Sequence, residues 1–349
     1  GRISFQQDFK ERFMALRVAI NGFGRIGRLA LRAVLEHKRW HEIEVVAVND
    51  SATPEINAHL LKYDSVHGRY PGEIALFDDG FDAGFGKITK VSNRDPLQLP
   101  WKELGIDIVL ECTGKFNDKA SASAHLTSGA KRVLCSAPAK NADKTIVYGV
   151  NHASLTADDI IVSNASCTTN GLAPVAKVLN DAIGIEHGHM TTIHAYTGDQ
   201  PTLDRNHKDL HRARAAAMSM VPTTTGAAKA VGEVLPELKG RLDGSAIRVP
   251  TPNVSVIDLV FTPGRETSAE EINAAIRAAA DGPMKGVLGY DSLPLVSIDY
   301  NHDPRSSIVA IDKTNVIGGK LARVMTWYDN EWGFACRMID TAVAMGRLL

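Results

Sequence analysis

Leu16-Arg17-Val18-Ala19-Ile20 runs directly into Asn21-Gly22-Phe23-Gly24-Arg25-Ile26-Gly27-Arg28, and no other junction constrains the fold as strongly. The first five residues read as a buried strand, while Leu29, Leu31, Val34 and Leu35 continue the far side at helical spacing. A strand feeding a helix through G-x-G-x-x-G opens a βαβ unit built for a dinucleotide. Gly22 permits the tight turn, Gly24 lets a pyrophosphate approach the backbone, and Gly27 lets the helix pack on the strand. The phosphates would then rest on the helix N-terminus. Ile43 to Val48 read as the second strand and end at Asn49-Asp50. Asp50 is placed to accept ribose hydroxyls, and its charge would repel a 2′-phosphate, which favours NAD over NADP. Without the glycines, Asp50 would read as an ordinary turn or cap residue.

The alternation persists through the first half. Ile106 to Leu110, Arg132 to Cys135 and Ile146-Val147-Tyr148 read as strands, with a helix over Lys119 to Thr127. Such a pattern predicts a mainly parallel, doubly wound Rossmann-type sheet. Beyond Cys167 the character changes. Thr191 to Tyr196, Asn253 to Phe261 and Leu321 to Trp327 read as long strands, with helices over Ala227 to Leu235 and Ala269 to Ala280. That suits an α+β domain with a largely antiparallel sheet. The expected class is therefore α/β: a cofactor domain over 14–166, completed by a helix over 333–349, and a catalytic domain over 167–332. Residues 1–13 mix acids and bases without an apolar segment and read as an upstream extension or cloning remnant rather than a signal peptide.

Composition removes several function classes. A formal net charge of −1 offers no broad basic surface, so no specific nucleic acid partner is expected. No apolar run approaches the roughly 20 residues of a membrane span. Cys112, Cys135, Cys167 and Cys336 are widely spaced with no C-x-x-C pair, which argues against a zinc site or disulfide framework and for a reducing cytoplasm. His37/His41 and His207/His211 have helical ligand spacing but no accompanying metal signature; they read as solvated histidines, and no metal is expected.

Chemistry concentrates in Ser163-Asn164-Ala165-Ser166-Cys167-Thr168-Thr169-Asn170. Ile160, Ile161 and Val162 precede it as a strand, and Leu172, Val175, Val178, Leu179 and Ile183 follow at helical spacing, so Cys167 lies where a helix begins. Unpaired backbone N–H groups and the helix dipole there favour thiolate. A small buried cysteine in a polar turn is the bland alternative. Pro174 must either sit early in that helix or kink it.

These stretches together resemble the phosphorylating, bacterial-type glyceraldehyde-3-phosphate dehydrogenases. Further motifs carry the resemblance: His194-Ala195-Tyr196-Thr197, Pro222 through Lys229, Arg248-Val249-Pro250-Thr251-Pro252-Asn253, and Trp327-Tyr328-Asp329-Asn330-Glu331-Trp332. It extends from Met14 to Leu349. The resemblance implies Cys167 as nucleophile and His194 as base and then acid, acting on D-glyceraldehyde 3-phosphate with NAD and inorganic phosphate. It implies Thr197, Asp199 and Arg248 as the pocket for the substrate's own phosphate, and Ser166, Thr168, Arg212, Thr225 and Gly226 as the pocket for the attacking one. Asn21 through Gly27, Asp50, Arg94, Thr113, Ser136 and Asn330 match cofactor positions, Asn330 at the nicotinamide amide. A cytoplasmic, glycolytic homotetramer is implied in the same way.

The chain departs from the family pattern at three points. Gly171 stands where many relatives carry a second cysteine, so no internal disulfide partner for Cys167 is expected there. Arg205-Asn206 replaces a Leu-Pro near the adenosine ribose, which would soften the exclusion of NADP. Phe334 replaces a frequent tyrosine, so packing rather than a hydroxyl is expected to hold Asn330. Two alternatives stay open: erythrose-4-phosphate dehydrogenase, which shares the cofactor motif, cysteine and histidine, and a non-enzymatic RNA-binding or adhesion role.

Overall fold

The computed structural model describes residues 15–349; the extension over 1–13 and Met14 lie outside the described residues. The chain forms two compact units. One runs through Ile146 and includes His152–Ala165 and Ala335–Leu349; the other comprises Val147–Asn151 and Ser166–Phe334.

The first unit is built on strands β1 (Leu16–Asn21), β2 (Ile43–Asn49), β3 (Ala75–Phe77), β4 (Gly80–Asp82), β5 (Lys87–Val91), β6 (Ile108–Glu111), β7 (Arg132–Cys135), β8 (Lys144–Thr145) and β9 (Ile161–Ser163). Their spatial order is β3-β4-β5-β2-β1-β6-β7-β9-β8. All neighbours are parallel except around the β3–β4–β5 edge. Order reverses beside β1, where chain connections leave for opposite sides. Val18, Ala19, Ile20, Ile108, Val109 and Leu110 are fully buried, as central strands of a parallel sheet require.

Helices α1 (Arg25–Glu36), α2 (Pro54–Lys62), α3 (Lys119–Ala122) and α4 (Ala124–Thr127) belong to this unit. The single helix expected over Lys119 to Thr127 is broken at Ser123, whose Oγ donates to the Lys119 carbonyl at 2.6 Å and competes with the backbone ladder. The strand expected at Ile146-Val147-Tyr148 is absent. Residue pairing stops at Thr145: the Ile146 N–H still donates to the Ser163 carbonyl at 2.8 Å, and Ile146 and Val147 are buried beyond the strand's end.

Two glycines fix the first turn. Gly22 has φ +93°, and a Cβ there would lie 2.8 Å from the Thr113 nitrogen; a Cβ on Gly27 would lie 2.2 Å from the Gly22 carbonyl oxygen. Neither contact can be relieved by a rotamer, because the opposing atoms are backbone. Gly27→Ala is expected to destabilise the protein by about 3 kcal/mol, the upper range for overpacking. Thermal unfolding measures it; an unchanged melting temperature would mean that this helix does not need its close approach.

The second unit carries β10 (Ile185–Ala195), β11 (Val221–Thr224), β12 (Leu242–Val249), β13 (Ser255–Pro263), β14 (Leu288–Asp291), β15 (Ser307–Ala310), β16 (Asn315–Ile317) and β17 (Leu321–Tyr328). Their order is β11-β12-β10-β13-β17-β15-β14, with β16 paired to β17. The sheet is mostly antiparallel but mixed, since β10–β12 and β14–β15 run parallel. Helices α5 (Cys167–Ile183), α6 (Ala227–Val234) and α7 (Ala269–Asp281) follow, and α5 packs against both of the others and on β10, β13 and β17. Pro174 sits well inside α5 without ending it. A last helix, α8, spans Trp332–Gly346.

Candidate active site

The polar run around Cys167 is a helix start. Ser166 is the N-cap, its Oγ accepting from the Thr169 N–H at 3.0 Å, and Cys167 is the first helical residue. Ala165 before it has φ +58°, a left-handed conformation costing a residue with a Cβ roughly 1 kcal/mol.

His194 lies next to the end of β10, where the parallel register sets it beside Arg248 on β12. Its Nδ1–H donates to the Ala195 carbonyl at 2.6 Å, so Nε2 carries the lone pair that faces the Cys167 Sγ at 3.5 Å. A thiol thus meets a base held in the correct tautomer. Burial pushes the Cys167 thiol up, against the pull of the Arg248 charge and the Thr168 hydroxyl. His194 is pushed down to about 3, by burial first and the Arg248 charge second. The helix start and the Arg248 charge favour thiolate, and burial pulls the other way.

Sequence reasoning missed Tyr328. Its hydroxyl bridges Thr168 Oγ1 at 2.9 Å and Thr192 Oγ1 at 2.8 Å, and its ring stands edge-on to His194 with centroids 6.0 Å apart. Period-2 alternation along β17 could have flagged it as inward-facing. Its ring and Ile257 also fill the space at Gly171, where an added Cβ would lie 3.2 Å from each. Thr168 therefore turns its hydroxyl inward, and its first-turn N–H is what it can offer an anion.

Arg248 is a cation with a donor to spare. Its Nη1 donates to the Ala195 carbonyl at 3.2 Å and Thr197 Oγ1 at 3.1 Å, while its buried Nε has no hydrogen-bond partner. Among the described residues it has no ion pair. Burial, and then Arg212, hold its pKa below the usual guanidinium value. Arg212 donates from Nη1 to Asp199 at 3.1 Å and from Nε to Thr223 Oγ1 at 3.0 Å. Thr225 accepts the Ala227 N–H at 3.2 Å, capping α6, and Gly226 occupies its N-cap with open space where a Cβ would be. His207 is not the solvated histidine expected: its side chain is 13% exposed and bonded to Asp199. His211 is exposed.

In the first unit, Gly22, Asp50, Arg94, Thr113 and Ser136 each follow the carboxyl end of a parallel strand, the edge where such sheets bind ligands. The N-terminus of α1 has no side-chain cap, its first turn holds no acid, and a Cβ on Gly24 would meet open space. A pyrophosphate fits that cradle. Asp50 accepts the Phe23 and Ala52 N–H groups at 3.1 and 2.8 Å, tying the second strand's tip to the glycine turn. Arg25 pairs with Asp64 at 2.6 Å; despite burial, Asp64 is held at about 2 by the His67 N–H and by Arg25. Ile26 is half-buried, Phe23 buried and Arg94 exposed.

Asn21 departs from expectation. Its side chain is buried, donating to Glu111 at 2.6 Å and accepting from Asn49 at 2.7 Å, so it supports the turn from beneath. Asn330 also differs: a hydroxyl does hold it, since Ser255 Oγ donates to Asn330 Oδ1 at 2.9 Å and accepts the Ala195 N–H at 3.0 Å.

Comparison with known proteins follows the same division. Residues 16–119 match the family model "Glyceraldehyde 3-phosphate dehydrogenase, NAD binding domain", and residues 166–330 match "Glyceraldehyde 3-phosphate dehydrogenase, C-terminal domain". The chain is 66% identical to the glyceraldehyde-3-phosphate dehydrogenase of Cereibacter sphaeroides, covering 96% of this chain and all of that protein. It is 66% identical to the Xanthobacter flavus enzyme, over 96% and 100%. With that of Geobacillus stearothermophilus it shares 54% over 94% and 98%. Fold, family models and 66% identity over nearly the whole chain agree: this chain belongs to the glyceraldehyde-3-phosphate dehydrogenase family.

Proposed function

We propose that the protein oxidises D-glyceraldehyde 3-phosphate, with NAD and inorganic phosphate, to 1,3-bisphosphoglycerate. The observation that carries this reading is Cys167 facing His194, whose strand register is shared with the half-buried Arg248, an arginine with no ion pair among the described residues. Cys167 attacks the aldehyde carbon as its proton passes to His194 Nε2 and on to the carbonyl oxygen, giving a hemithioacetal. The hemithioacetal loses hydride, and His194 takes the hydroxyl proton, leaving a thioester on Cys167. Inorganic phosphate attacks the thioester carbon, the C–S bond breaks, and the proton on His194 returns to sulfur. Bound NAD supplies the hydride acceptor. Gly22, Gly24, Gly27, Asp50 and Asn330 are the residues that would hold it.

Arg248 and Thr197 suit the substrate's own phosphate, since a desolvated guanidinium binds it through charge-assisted hydrogen bonds. Arg212, Thr225, Gly226, Ser166 and the Thr168 N–H suit the attacking phosphate. We further read the protein as a cytoplasmic, glycolytic homotetramer. Among the described residues Leu203, Leu210, Met218 and Met220, all in the segment between β10 and β11, are 72, 81, 78 and 74% exposed, apolar surface that association would cover.

The test is absorbance at 340 nm with glyceraldehyde 3-phosphate and NAD. Rapid turnover that requires inorganic phosphate is expected. NADH formed equally fast without phosphate would overturn the attacking-phosphate pocket, and none at all would redirect the assay to erythrose 4-phosphate. Arg248→Ala is expected to raise KM for the aldehyde about 100-fold, the scale of one buried charge-assisted contact. An unchanged KM would remove Arg248 from that pocket.

A further inference from the structure

Around Arg212 the side chains close into a ring. The Asp209 N–H donates to His207 Nδ1 at 2.9 Å, and His207 Nε2 lies 3.2 Å from both oxygens of Asp199. Arg212 Nη1 donates to Asp199 Oδ2 and its Nε to Thr223 Oγ1, whose own proton goes to Asp209 Oδ2 at 2.6 Å. Two carboxylate oxygens facing Nε2 require a proton there, so the neutral ring accepts through Nδ1. The Asp209 carbonyl, 3.1 Å away, is the alternative partner of Nδ1.

We propose that His207 is a positioning residue for phosphate: through this ring it sets how firmly Asp199 holds Arg212, and so how much of that guanidinium an anion can claim. The inference rests on the assignment of Arg212 to the attacking-phosphate pocket. In the ring Asp199 divides its negative charge between two donors. With the imidazole gone, both oxygens turn to Arg212, the ion pair tightens, and an unshared negative charge is left beside the anion. Both effects weaken phosphate binding. Asp199 agrees with a shared carboxylate, being held below the usual range by the His207 and Arg212 bonds in spite of burial.

The experiment is steady-state kinetics at varied inorganic phosphate, with saturating aldehyde and NAD, for Arg212→Ala and for His207→Ala, →Asn and →Gln. A glutamine amide reaches as far as Nε2 and can donate to Asp199; an asparagine amide reaches only as far as Nδ1. His207→Ala and His207→Asn are expected to raise KM for phosphate about fivefold, the scale of one lost charge-assisted bond in a half-exposed site, with kcat within about twofold. His207→Gln is expected to recover most of that loss. A raised KM in Arg212→Ala alone, or equal behaviour of the Gln and Asn variants, would overturn the proposal. An Arg212→Ala enzyme with unchanged KM for phosphate would overturn the pocket assignment and the proposal with it. If the alanine variant fails to fold, the Gln–Asn contrast decides alone.

Discussion

Cys167→Ser is expected to abolish NADH formation, lowering kcat on the order of 10⁴-fold or more while the melting temperature stays within a few degrees of the parent. The change is small in volume and leaves the Ser166 cap and the helix start in place. What it removes is chemical. A hydroxyl at that position is a much weaker nucleophile at neutral pH, and an oxygen ester gives phosphate a poorer leaving group than a thioester does. Residual turnover within tenfold of the parent would mean that the covalent step lies elsewhere. NAD titration of the same variant separates lost chemistry from lost cofactor binding.

His194→Asn is expected to lower kcat about 10²- to 10⁴-fold, the range for removing a positioned base. It should also change how stability responds to acid. The folded imidazole is pushed to about 3, whereas an exposed histidine titrates near 6.5. Between those values the unfolded chain binds one proton more than the folded one, so stability rises with pH. This group's contribution is complete above pH 6.5 and is lost as pH falls toward 3, at about 1.4 kcal/mol per pH unit. The asparagine variant lacks that dependence. Urea midpoints between pH 4 and 7 should therefore fall less steeply for the variant than for the parent. Parallel curves would mean that His194 is not held neutral by the fold.

What could be read from sequence was what the chain encodes over short distances. The glycine turn is three glycines at fixed offsets between a strand and a helix, all within Leu16 to Glu36. The start of α5 is equally local, a strand followed by a capping serine and a period of 3.6. Reading failed where partners lie far apart in sequence. Ser255 reaches Asn330 across 75 positions and Tyr328 reaches Thr168 across 160, and no periodicity announces either bond. His207 was misread because spacing to His211 says nothing about Asp199, which a loop brings back to it. Ile146-Val147-Tyr148 misled for the opposite reason. Its β-branched and aromatic residues suit a strand, but the ladder partner on β9 ends opposite Thr145. The upward push of burial on the Cys167 thiol was also out of reach, because a helix start is visible in sequence and desolvation is not.

Ser255 has one proton to give. Its oxygen already receives the Ala195 N–H, so that proton goes to Asn330 Oδ1 and pins the amide against a half-turn flip. The opposite end of Asn330 is then an NH₂ group, with hydrogens to give and no lone pair to offer. At the nicotinamide contact proposed for this residue, only the carbonyl end of the carboxamide is welcome, and rotating that carboxamide by 180° would set hydrogens against hydrogens. In the cofactor reading proposed above, one buried hydroxyl would thereby set which end of a carboxamide Asn330 accepts.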